Sequence, residues 1–235
     1  MIPIVLFQLL ILLWLRRFLT RNLIRLVLYL GGNLQAAYWI YSIISLPGVA
    51  LHEISHFFTA AFLGFRTGKI DLLPKFMEDG GVELGSVQVA SSDPVRHSLV
   101  GIAPFVSGGI VIGLISSKLD AEFATISDIF SVFINISSEP LKLFGIYLIS
   151  VISLHLFPSR KDLATWPVIL LIFALFALIV SRFSPGFQFL FQDLMLGFCF
   201  AIIINLGLSI LLTLINIVIS RFIRKRIITL SPFFE

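Results

Sequence analysis

Long apolar runs broken by short polar stretches divide the chain into its expected elements. Residues 1–15 form a first apolar segment, and residues 16–35 hold a basic cluster and a Gly31-Gly32-Asn33 break. Arg17, Arg21 and Arg25 recur every four residues and so share one face, as in a helix lying at a headgroup surface. Residues 36–65 are a long apolar stretch interrupted by Pro47-Gly48. Residues 66–97 are the main polar connection. Within it, Val82-Glu83-Leu84-Gly85-Ser86-Val87-Gln88-Val89 has the valines and partial alternation of a strand, and Asp93-Pro94 closes the stretch. Further apolar runs cover 98–116, 141–157, 165–181 and 194–220, and the mixed connection at 117–140 has room for a short interfacial helix at 127–136.

The pattern predicts an all-α polytopic membrane protein of about six transmembrane helices, with a small membrane-associated β element around 80–90. It reads as one integral membrane domain over residues 1–235, with an N-terminal segment 1–35, a core 36–163 and C-terminal spans 164–220. Composition agrees. Hydrophobic residues are 58% and charged residues 13% of the chain, which leaves too little polar surface for a water-facing fold and suits a lipid solvent. The 24 phenylalanines suit lipid-facing surface and tight helix packing.

The net charge of +4 does not indicate nucleic acid, because the basic residues cluster at segment ends, where anionic lipid and cytoplasmic orientation account for them. Arg16, Arg17, Arg21 and Arg25 follow the first apolar run, and Arg221, Arg224, Lys225 and Arg226 follow the last. Placing the C-terminal block in the cytoplasm puts Arg160-Lys161 and the 66–97 connection on the same side. The expected location is the cell (inner) membrane with a cytoplasmic C-terminus. The N-terminal arginines then fall on the wrong side of a six-span count, so either residues 1–31 do not cross simply or 36–65 is a hairpin around Pro47. The first segment lacks a preceding basic region and a small-residue cleavage site, and is expected to be retained. The single cysteine, Cys199, cannot form an intrachain disulfide and makes a poor metal site alone.

The chemistry lies in the second half of the 36–65 run. His52 and His56 are four residues apart, so on a helix they stack one turn apart and both imidazoles reach one metal ion. Glu53 is turned about 100° from His52 and borders the metal without sharing its ligand direction, the position of a general base. Three ionisable groups within five residues of an apolar helix are costly in a bilayer, which points to function. A zinc with nitrogen ligands and an open position activates water and polarises a carbonyl. Catalytic zinc takes three protein ligands, so a third is needed. The other histidines are His97 and His155. Most downstream acids sit in polar connections, where a solvated face is the simpler role. Asp162 differs: it lies in a Pro-broken turn between two spans, as a ligand or as a helix cap.

The segment Pro47-Gly-Val-Ala-Leu-His52-Glu-Ile-Ser-His56-Phe-Phe-Thr-Ala-Ala-Phe-Leu-Gly64 resembles the first motif of the site-2 protease family of intramembrane zinc metalloproteases. Gly101-Ile-Ala-Pro104-Phe-Val-Ser-Gly108 resembles the small-residue motif of that family's next core helix. His155-Leu-Phe-Pro158-Ser-Arg-Lys-Asp162-Leu163 resembles its Asn-Pro…Asp-Gly segment. The resemblance spans about 48–163 and implies a compact member without PDZ or CBS domain. It implies one zinc per chain held by His52, His56 and Asp162, with Glu53 as base and a β element whose edge pairs with substrate. His155 stands where the family has Asn, and Leu163 where it has Gly. His155 reads either as a contact to substrate or oxyanion, or as a packed, hydrogen-bonded histidine. Pro104, Gly108 and Gly109 read as permitting close helix packing, and Asn205 and Asn216 as interhelical hydrogen bonds.

The expected function is an intramembrane zinc endopeptidase acting on membrane-spanning or membrane-anchored proteins, with the lipid bilayer as its surroundings. The alternative is a divalent-metal transporter using the same helix as an ion site. Position 55 is Ser where such transporters place Pro, and the spans offer no second polar constellation to pass the ion on. A Glu-x-x-x-Asp ligand motif does not occur downstream of His56.

Overall fold

The computed structural model describes residues 2–77, 81–90, 93–119, 139–157 and 185–223. Asp162, the expected span at 165–181, the turn at 158 and the expected interfacial helix at 127–136 lie outside these residues.

The described chain is mostly helical, with a small antiparallel β element. Helix α1 (Ile2–Tyr29) runs unbroken through the first apolar segment and the arginines. Gly31 then takes a positive φ of 88°, open to glycine without strain. The Gly31 and Gly32 N–H groups bond back to the carbonyls of Leu28 and Val27, which stops the helix. Helix α2 (Leu34–Phe62) starts at Asn33, whose side-chain oxygen accepts the Ala36 N–H at 2.7 Å. Asn33→Ala removes that cap. The expected cost is about 1 kcal/mol, read as a lowered unfolding temperature in detergent, with Asn33→Ser close to wild type.

Pro47 sits inside α2 without ending it, so 34–62 is one helix and the hairpin reading of 36–65 is excluded. Gly64, with φ 79°, closes this helix as Gly31 closes the first, through Phe65 N–H to Ala60 and Gly64 N–H to Ala61. The β element is larger than the expected 80–90 strand. Strand β1 (Arg66–Asp71) pairs antiparallel with β4 (Ser86–Ala90), and β2 (Lys75–Phe76) pairs antiparallel with β3 (Val82–Glu83). The strand expected over 82–89 is therefore split at Leu84-Gly85, and the polar residues 66–76 supply the missing partners.

Helix α3 (Pro94–Ser116) is capped by the Asp93 carboxylate, which accepts the Val95 and Arg96 N–H groups. Helix α4 (Pro140–His155) and helix α5 (Pro185–Ile223) complete the described elements. Helices α3 and α4 both pack on α2, and α1 lies along α5. The core joins Leu9 and Leu12 of α1 to Ile112 of α3, Ile149 of α4, and Phe198 and Phe200 of α5. Polar bonds fix the helix pairs. Asn205 accepts from the Ser150 hydroxyl and donates to that of Ser153, while Asn216 donates to the Asn22 carbonyl. Both asparagines thus make the interhelical bonds expected of them.

Among the described residues, three stretches are long and apolar enough to cross a membrane: Leu34–Phe62, Val95–Ser116 and Gly197–Ser220. Helix α4 is apolar but shorter. Large apolar side chains on these helices face outward, including Ile43, Phe58, Ile110 and Leu211, as lipid-facing positions do.

Candidate metal centre

His52, Glu53 and His56 all stand on α2, one turn of helix carrying the whole motif. Glu53 and His56 are buried and His52 is half-buried. The two imidazoles meet edge to face, with ring planes at 83° and Nε2 atoms 3.1 Å apart.

The outer nitrogens explain this orientation. His52 Nδ1 is 2.7 Å from the carbonyl oxygen of His155, and His56 Nδ1 is 2.8 Å from that of Val100. A carbonyl only accepts, so each Nδ1 carries the proton and donates it. With Nδ1 carrying the proton of a neutral ring, Nε2 is the acceptor nitrogen of each imidazole, and the two Nε2 atoms converge at the spacing of two ligands on one ion. Two zinc–nitrogen bonds of about 2.0–2.1 Å at a tetrahedral angle would separate their nitrogens by about 3.3 Å, close to the spacing present. The donor set therefore fits zinc. Nδ1–H to backbone carbonyl is the usual way a protein fixes a metal-binding histidine.

Each accepting carbonyl is spare for a reason written in the chain. His155 is the last residue of α4, where helix carbonyls have no intrahelical partner. Val100 lies four residues before Pro104, within α3. Proline has no N–H, so the Val100 carbonyl lacks its helix bond and accepts His56 instead. Pro104, read from sequence as permitting close packing, therefore leaves free the carbonyl that fixes the His56 tautomer. The signal was available: a proline in an apolar helix frees the carbonyl four residues earlier. Pro104→Ala supplies a competing N–H. Zinc affinity is expected to fall about tenfold while helicity is kept, as measured by chelator competition and circular dichroism. Unchanged affinity would remove this role.

Two glycines bring the neighbours in. A Cβ on Gly48 would overlap the Val151 carbonyl, so only glycine lets α4 approach α2 closely enough for His155 to reach His52. Gly85, between β3 and β4, lies on Glu53: a Cβ there would stand 3.0 Å from Glu53 Cγ and 3.1 Å from Oε1. The β element thus roofs the acid. Ser55, the fourth residue of the motif, meets the Ser107 hydroxyl at 2.5 Å and ties α2 to α3. Gly108 permits the close packing expected of it, since a Cβ there would overlap Leu156.

His155 is buried, with Nδ1 donating to the Val151 carbonyl at 2.8 Å. Its Nε2 has no hydrogen-bond partner among the described residues. What His155 gives the histidine pair is its backbone carbonyl, which accepts from His52 Nδ1. His97 stands on the first turns of α3 and is not brought to the histidine pair by any described contact. Among the described residues, no three His, Cys, Asp or Glu side chains converge as a metal group. Asp162, the expected third ligand, lies outside them.

These features define a helical bundle of membrane-spanning character with a tautomer-fixed histidine pair beside a buried glutamate. No family model matches the chain, and no curated protein or solved structure matches it.

Proposed function

We propose that the protein is an intramembrane zinc endopeptidase that hydrolyses peptide bonds of membrane-spanning or membrane-anchored proteins, as its resemblance to site-2 proteases implies. The observation that carries the reading is the convergence of His52 and His56 Nε2 to 3.1 Å, with both Nδ1 atoms committed to backbone carbonyls. His52 and His56 hold the zinc, and Asp162 is the proposed third ligand. Bound zinc supplies Lewis-acid activation of water and of the scissile carbonyl.

The chain's own residues do the rest. Glu53 follows His52 on the same turn and is covered by the Gly85 turn. Its carboxylate takes a proton from the attacking water and returns it to the leaving nitrogen, so the hydrolysis balances with Glu53 regenerated. Burial keeps bulk water from competing for that carboxylate. A helical substrate hides its carbonyls in its own hydrogen bonds and must unwind locally. The paired strands β1–β4 and β2–β3 offer edges on which an unwound segment can add as a strand, next to the turn that touches Glu53.

The test uses purified protein in proteoliposomes with a transmembrane substrate. Cleavage should stop on zinc chelation and return with zinc. Zinc flux across the vesicle wall without cleavage would instead make the histidine pair an ion-transport site.

A further inference from the structure

Helices α1 and α5 run parallel in fixed register. Gln8 donates to Cys199 Sγ at 3.0 Å and Asn22 donates to Thr213 at 3.2 Å, each pair 191 residues apart. Leu19 of α1 and Leu212 of α5 share one buried cluster, which agrees with that register. Adding 191 puts Arg17 level with Leu208 and Arg21 level with Leu212. Both levels fall inside Gly197–Ser220, the most apolar stretch of α5, and Arg17 is near its middle. At the same levels α5 turns Leu208, Ile210, Leu211 and Leu214 outward, as lipid-facing side chains.

Arg17 and Arg21 are exposed, and among the described residues neither has an acidic partner. With Arg25, which is half-buried, they form a ladder along one face of α1, each step about 6 Å at 1.5 Å per residue. The same stripe continues toward the N-terminus as exposed Leu10 and Trp14, so its character changes from apolar to basic at mid-helix. Trp14 stacks on Phe18 at 5.1 Å beside that change. Aromatic rings next to basic residues mark a headgroup boundary, here set far inside the level at which α5 becomes polar. Exposed guanidinium groups at hydrocarbon depth require an anion and water, and the bilayer's own source of both is a phosphate headgroup.

We propose that the Arg17–Arg21 ladder on α1 binds an anionic phospholipid and draws its headgroup inward, to the level of the middle of α5. Guanidinium pairs with phosphate oxygens through two parallel hydrogen bonds, which selects phosphate over a diffuse negative potential. The site is independent of the histidine pair and does not rest on the peptidase reading.

The test is native mass spectrometry of the full chain exchanged into micelles holding equal phosphatidylglycerol and phosphatidylcholine. Wild type should retain phosphatidylglycerol preferentially. Arg17→Gln/Arg21→Gln should lower that preference by about 30-fold, taking about fivefold per basic residue. Arg17→Lys/Arg21→Lys keeps the charge but not the paired hydrogen bonds and should fall between wild type and the double Gln variant, and Lys118→Gln, an exposed charge elsewhere, should keep all of the preference. Absence of a wild-type preference overturns the proposal, whether or not the variants fold. So does a preference that survives the double Gln change, or one lost equally in Lys118→Gln. A chain dimer that dissolves in the double Gln variant, with no lipid retained by either protein, would assign the ladder to protein contact instead.

Discussion

Glu53→Gln is expected to reduce cleavage of a transmembrane substrate by between about 100-fold and 10,000-fold, the range spanned by removal of a general acid–base group. Zinc content should stay at the wild-type level, because His52 and His56 keep their nitrogens and their carbonyl partners. The contrast between the two readouts is the point of the substitution. Glutamine has nearly the shape of glutamate, so it fits under the Gly85 turn, where a larger change would collide with the β element. It keeps the burial but cannot hold the transferred proton. A variant with full zinc and wild-type cleavage would exclude Glu53 as the base and, with it, the proposed mechanism. A variant that loses zinc would show that Glu53 supports the metal centre.

Gly48→Ala tests the scaffold. The added methyl group would overlap the Val151 carbonyl and stand 2.9 Å from His155 Nδ1. A backbone carbonyl within a helix cannot rotate aside, so α4 must move away from α2. Overpacking of this kind costs about 1–3 kcal/mol. The same movement withdraws the His155 carbonyl from His52 Nδ1, and loss of such a supporting bond weakens metal affinity by about 10–100-fold. Both losses should appear together, in thermal unfolding and in chelator competition. Gly207→Ala is the matched control. Nothing lies within 4 Å of a Cβ there, so the change should be neutral or mildly stabilising, given alanine's higher helix propensity. His155→Ala separates side chain from carbonyl: it should disturb zinc affinity much less than Gly48→Ala, because the bond to His52 comes from the backbone.

Several elements were legible because their signals are local. Gly31-Gly32-Asn33 breaks the first helix from the second through a glycine in the left-handed region and an asparagine cap. Asp93-Pro94 starts α3 in the same local way, by a side chain bonding the next turn. Other elements were not legible. Pro47 suggested a hairpin, yet packing against neighbouring helices holds 34–62 as one helix, and Tyr147 donates to the carbonyl of Ile44 just before it at 2.7 Å. The polar stretch 66–76 carries no strong alternation, and its strands exist because β4 and β3 supply their hydrogen bonds. Strand pairing depends on a partner elsewhere in the chain, so single-segment patterns carry it weakly.

The sequence alone determined the apolar runs and the placement of His52, Glu53 and His56 on one helical turn, because helical periodicity follows from spacing. Only the tertiary structure decided which ring nitrogen of each histidine is held by a backbone carbonyl and which turns toward the other histidine. That choice rests on the carbonyls of His155 and Val100, 103 and 44 residues away, and on the close approach at Gly48 that brings the first within reach. A tautomer is set by the partner of the other ring nitrogen, and that partner comes from folding, not from the motif.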